Sequence, residues 1–113
     1  MANAISERVL RPYSEWLPLD VSIDGEHLVV ALRGEIDAGN AHVLPTAVAA
    51  AVNGDRSVRI DLSDVTFLDS SCLRAILMSE AMLAPEGVTL KVRNVPVWAY
   101  QTFAIAGLLY LVE

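Results

Sequence analysis

The sequence is short of several things at once. It has one cysteine, Cys72, in 113 residues, so no internal disulfide can form. A lone thiol fits a reducing compartment, and a cytoplasmic location is the expectation. Basic residues are scarce: 8 Lys and Arg stand against 14 Asp and Glu, for a net charge of −6. That excludes a protein that holds nucleic acid by neutralising phosphates, which needs clustered cations. The only histidines are His27 and His42, and no His or Cys pair has metal-ligand spacing. No metal site and no cofactor is therefore expected. Neither a Gly-x-Ser-x-Gly elbow nor a Gly-Lys-Ser/Thr loop occurs, so nothing points to a hydrolase or a nucleotide-binding P-loop. No apolar run reaches the roughly 20 residues that a membrane span requires. The most apolar stretches, residues 43–52 and 104–112, are shorter and are broken by Pro45 and Thr46 or by Gly107. Residues 1–20 lack a basic head followed by an apolar run, so no secretory signal is expected.

What is abundant is apolar surface. Hydrophobic residues make up 54% of the chain, and its mean hydropathy is +0.44. A chain of this size can bury roughly two-thirds of its unfolded surface in one core. The excess suggests apolar surface kept for a partner. Residues 1–18 show mixed polarity and read as an extension. A short amphipathic helix is expected around residues 5–10, and Tyr13 and Trp16 could cover an apolar patch.

From Leu19 onward the pattern is regular. Residues 19–23 alternate apolar and polar, Asp24-Gly25 is a tight-turn pair, and residues 27–33 alternate again. This predicts a hairpin. Residues 34–40 read as a loop, and Asn40 as the cap of a helix from Ala41 to about Val52. Pro45 conflicts with that start: the helix begins later or bends there. Residues 57–62 form the next strand, with Phe67 and Leu68 in the loop beyond it. Helical spacing of Leu73, Ile76, Leu77, Ala81 and Ala84 follows Asp69-Ser70-Ser71, and Pro85-Glu86-Gly87 closes it. Residues 88–92 alternate, Pro96 opens a third helix, Gly107 caps it, and residues 108–112 read as a last strand. The order is β-β-α-β-α-β-α-β. This is a small α/β sandwich with a mixed, mostly parallel sheet. A site is expected at the carboxyl ends of the strands, where the acidic loops 34–40 and 64–71 meet.

Asp69-Ser70-Ser71 is the segment with chemistry in it. Aspartate and serine at a helix start satisfy orphan backbone donors, so capping explains them. The same place suits a phosphate-acceptor serine, because backbone N–H groups and the positive helix end face it. Neither histidine sits in a motif that would make Ser70 a nucleophile. Cys72 lies in the same first turn, where a thiol pKa falls, unless the side chain is buried as lone cysteines commonly are. Arg74 follows Ser70 by four residues, within reach on one helical face, and could pair with Asp69, Ser71 or a phosphate on Ser70.

The segment Asp61-Leu-Ser-Asp-Val-Thr-Phe-Leu-Asp-Ser-Ser-Cys-Leu73 resembles the signature of the STAS domain family. Gly34-Glu35-Ile36-Asp37 is similar to that family's earlier loop, and Pro96 with Gly107-Leu108 to its last helix. The resemblance covers residues 19 to about 112 and is strongest to stand-alone bacterial anti-sigma factor antagonists. It implies a binding protein rather than an enzyme. Its partner would be an anti-sigma factor that is an ATP-using serine kinase, with a phosphatase to reverse the modification. Ser70 matches the phosphorylated serine; the unmodified form binds the kinase and frees the sigma factor. Asp37 and Asp69 match aspartates beside that serine, and Ser71 matches the second serine. Cys72 stands where the family normally has glycine, and Arg74 and Met78 where small residues are common. Asp37, Asp69, Ser71, Cys72 and Arg74 are thus the expected partner-binding residues. The alternative is a non-switching STAS subunit of a transport ATPase or signalling assembly. A thiol sensor built on Cys72 is a third reading.

Overall fold

Alternation of apolar and polar residues sets the sheet. A computed structural model describes residues 17–113, so the helix expected around residues 5–10, with Tyr13 and Trp16, lies outside the described residues. Strands β1 (Leu19–Asp24) and β2 (His27–Ile36) pair antiparallel through the expected turn, where Gly25 takes φ +63°. Strands β3 (Ser57–Leu68) and β4 (Thr89–Arg93) then add in parallel, giving the order β1-β2-β3-β4. Helices α1 (Leu44–Ala51), α2 (Ser70–Leu83) and α3 (Val97–Ile105) alternate with them.

One face of the sheet is apolar: Leu19 and Val21, Leu28, Val30 and Leu32, Val58, Ile60 and Leu62, Leu90 and Val92. The helices supply the opposing side chains. Leu44, Ala47, Val48 and Ala51 of α1 follow the spacing that keeps side chains on one helical face. Cys72, Leu73, Ala75, Ile76 and Leu83 come from α2, and Ala99 and Phe103 from α3. The core reaches back to Leu17, which is fully buried, and the carbonyl of Pro18 accepts from the Arg33 N–H.

Four expectations change. Residues 34–36 are not loop: β2 runs through Ile36. Strand β3 is twice the expected length, because two register irregularities opposite residues 31–35 let its twelve residues run beside the ten of β2. At those points consecutive residues Ser63-Asp64 and Thr66-Phe67 are both exposed, which breaks the alternation that marks a strand. Asn40 does not cap a helix. A single turn of 3-10 helix (Ala41–Val43) precedes α1, and Pro45 sits in the first turn of α1, where its missing N–H costs nothing. Residues 108–112 do not form a strand; they hold a 3-10 turn (Leu109–Leu111) and one parallel bridge between Val92 and Val112.

Candidate functional site

Strands β2 and β3 are parallel, and their last residues, Ile36 and Leu68, are register partners. The loop after β2 and the start of α2 therefore emerge side by side. This brings Asp37 next to the Asp69-Ser70-Ser71 segment, from positions 32 residues apart.

Three of the aspartates here, Asp37, Asp61 and Asp69, each accept a backbone N–H. The Asp69 carboxylate accepts the Ser71 N–H at 2.8 Å and is the N-cap of α2. Asp37 Oδ1 accepts the Gly39 N–H at 2.9 Å. Asn40, instead of capping, ties the same loop shut: its Oδ1 accepts the Asp37 N–H at 3.0 Å and its amide donates to the Glu35 carbonyl at 2.9 Å. Asp61 binds its own turn in the same way, accepting from Ser63 N–H at 2.8 Å. Burial opposes its ionisation, but bonds from Ser63 and Asn94 and the nearby Arg93 outweigh that and lower its pKa. Among the described residues, no three His, Cys, Asp or Glu side chains gather in a way that could hold a metal ion.

Capping thus accounts for Asp69 and leaves Ser70 unexplained. Ser70 is the first residue of α2 and is exposed, and its hydroxyl makes no hydrogen bond among the described residues. Ser71 is half-buried, its N–H held by Asp69.

Cys72 turns the other way. Its side chain is fully buried in the core, so it is not part of the surface that Ser70 presents. Burial, with the Asp69 charge, pushes the thiol pKa up to about 12, against the lowering that a helix start alone produces. Buried and with its thiolate disfavoured, the side chain packs in the core and lends a sensor reading no support. Arg74 is exposed and makes no ion pair among the described residues, so the pairing with Asp69 that its position allowed is not made.

An open groove of about 390 Å³ lies beside Ser70. It is lined by Ala38, His42 and Pro45 on one side and by Ser70, Ser71, Arg74, Ala75 and Met78 on the other. Ala38, His42 and Pro45 had no sequence signal as site residues. His42 reads as a surface histidine in a first turn, and only the packing of α1 beside α2 sets it opposite Arg74. A larger hollow of about 630 Å³ lies at the far end of the same helix pair, lined by Asn53, Asp55, Arg56, Met82 and Glu86 among others, away from the acidic loops. No helix among the described residues is long and apolar enough to cross a membrane.

A family model described as "Mlab, STAS domain" matches residues 19–113. The chain is 28% identical over 95 residues to the anti-sigma-B factor antagonist of Bacillus subtilis (strain 168), covering 84% of this chain and 87% of that protein. Among solved structures it is similar to an anti-sigma factor antagonist from Mycobacterium paratuberculosis, at 26% identity and TM-score 0.73, over 86% of this chain and 83% of that one. It shares its fold with the anti-sigma factor antagonist SpoIIAA of Bacillus in two states. The unphosphorylated form matches at 17% identity and TM-score 0.73, over 84% of this chain and 85% of that one. The phosphorylated form matches at 18% and 0.65, over 84% and 88%.

Proposed function

This chain belongs to the STAS domain family, and we propose that it is an anti-sigma factor antagonist switched by phosphorylation at Ser70. The unmodified protein binds an anti-sigma factor of the serine-kinase type in the cytoplasm and so releases a sigma factor. A phosphate on Ser70 ends that contact, and a phosphatase restores it. The protein itself is a binding module without catalytic residues.

The observation that carries this reading is Ser70 itself. It stands exposed at the start of α2, beside a groove, with a hydroxyl that no fold contact uses. Its neighbour Asp69 already caps the helix, so a serine at 70 is not needed there for stability. A phosphoryl group at that place lies at the positive end of α2, which favours negative charge even though Asp69 already holds the Ser71, Cys72 and Leu73 N–H groups, so the fold tolerates it. Both forms of SpoIIAA have this same fold, which supports a switch that acts on the surface and leaves the architecture alone.

The charge arithmetic is simple. Phosphorylation adds about −1.5 to −2 charges next to Asp69 and Asp37. A partner packed over Ser70 would have to desolvate that group. Losing a hundredfold in affinity takes only about 2.7 kcal/mol. No movement of the backbone is required.

The test is a paired capture from native lysate, with Ser70→Ala and Ser70→Glu as baits and mass spectrometry as readout. The alanine bait is expected to bring down a kinase-fold anti-sigma factor, and the glutamate bait to recover at least tenfold less. Equal recovery of one partner by both baits would overturn the switch. Were that partner a transport ATPase, the chain would be a constitutive docking subunit instead.

A further inference from the structure

We infer that the groove beside Ser70 is a socket for a partner segment that carries a carboxylate and an apolar side chain a few residues apart. Arg74 takes the carboxylate and Met78 the apolar group. The inference rests on the phosphoswitch reading and names the chemistry of the partner at that site.

The argument begins with where the cations are spent. Among the described residues, Arg33 pairs with Asp20, Arg59 and Arg93 with Glu113, and Arg93 also with Asp24. Lys91 donates to the Tyr110 carbonyl at 2.6 Å. All of these lie on the sheet side or the β4 edge. Arg56 and Arg74 have no such partner, and both line hollows along the α1–α2 pair. Arg56 shares its hollow with Asp55 and Glu86, so its surroundings are mixed. Arg74 shares its groove with His42 and with no acid.

Asp69, next to Ser70 in the chain, and Asp37, brought beside it by the sheet, each accept a backbone N–H. What the groove offers an incoming chain is therefore a guanidinium, an imidazole and two serine hydroxyls over an apolar floor. In a protein of net charge −6, Arg74 is a cation that makes no ion pair among the described residues, although the carboxylates of Asp37 and Asp69 lie nearby. It complements a carboxylate, and a guanidinium fork binds one in a fixed geometry. The apolar half is set by spacing. Ser70, Arg74, Met78 and Met82 repeat every four residues and form one stripe along α2. Met78 is 51% exposed and Met82 47%, so the stripe continues away from Ser70 as adaptable apolar surface.

This placement also says how the switch works on the partner. Ser70 and Arg74 are one turn apart on the same face. A phosphoryl group on Ser70 competes for the guanidinium that the partner's carboxylate needs, and repels that carboxylate as well.

The experiment selects random displayed 12-residue peptides on the full-length protein and then measures their binding to variants. The expected winners carry Asp or Glu with an apolar residue three or four positions away. They should bind about three- to tenfold more weakly to Arg74→Gln, keep most of their affinity for Arg74→Lys, and shift the NMR signals of Met78 and Ala38. Peptides with no acidic preference, or acidic peptides that bind Arg74→Gln as well as the parent, overturn the socket. So would peptides that map to α3. The reading of the switch fails separately, through equal capture by the Ser70→Ala and Ser70→Glu baits.

Discussion

Ser70 and Cys72 lie two residues apart on one helix, and the 3.6-residue turn sends them in opposite directions. Ser70 faces water and a groove; Cys72 faces the core. That geometry leaves the first on the surface and puts the second in the packing of the core. The buried thiol has a measurable consequence. Its ordinary pKa of 9.0 applies in the unfolded chain, and the folded value is about 12. Between those values the folded state holds a proton that the unfolded state has lost. Stability must therefore fall as pH rises above 9.0, at up to about 1.4 kcal/mol per pH unit from this group. Urea unfolding across alkaline pH checks it, and Cys72→Ala should flatten the slope. A slope unchanged in Cys72→Ala would mean that another group carries it.

At the scale of elements, α3 is the odd member. Val97–Ile105 contains no charged residue, yet buries only Ala99 and Phe103. Val97 is 93% exposed and Ile105 79%. A helix anchored by so few side chains concentrates its stability in them. Phe103→Ala is expected to cost about 3–5 kcal/mol in denaturant unfolding, the usual range for a buried aromatic. Ile105→Ser should change stability by no more than about 0.5 kcal/mol, as an exposed position does. Helix α2 is built the other way. Ser79, its one buried polar side chain, donates to the Ala75 carbonyl at 2.7 Å, so nothing in it is left unpaired inside.

The molecule as a whole has two unlike sides. The helices cover one face of the sheet, and the other carries a charged lattice. Glu113 bridges Arg59 at 2.9 Å and Arg93 at 3.3 Å, and Arg93 reaches Asp24 at 2.9 Å. Hydrogen bonding from Arg59, against some burial and with the charges of both arginines, lowers the Glu113 pKa below its ordinary 4.5. A carboxyl held below its unfolded value stabilises the fold above that value. The contribution is lost as pH falls through the lowered pKa. Glu113→Gln should therefore reduce stability near neutral pH and leave the acid-unfolded end of the curve little changed. Thermal unfolding from neutral to acid pH, at low and high salt, tests this. Because the pair is exposed, added salt should shrink the effect. An effect that is independent of salt would point to packing rather than charge.

Most strands and all three helices were legible in residue order, because a period of 2 or 3.6 in apolar side chains is a local property. Ser70 and Asp69 were legible too, as a polar pair at a helix start beside the family's motif. Three things were not. The second half of β3 was hidden because its bulges break alternation, and a bulge is defined by the partner strand that opposes it. Residues 108–112 look like a strand because they are apolar, but they meet β4 at a single bridge. The burial of Cys72 and the presence of His42 and Arg74 on one groove depend on α1 lying against α2. Sequence fixes which atoms are available and how each element repeats. Which of those atoms share a surface, and which lose water, is a property of distances between residues far apart in the chain, and only the packed structure sets it.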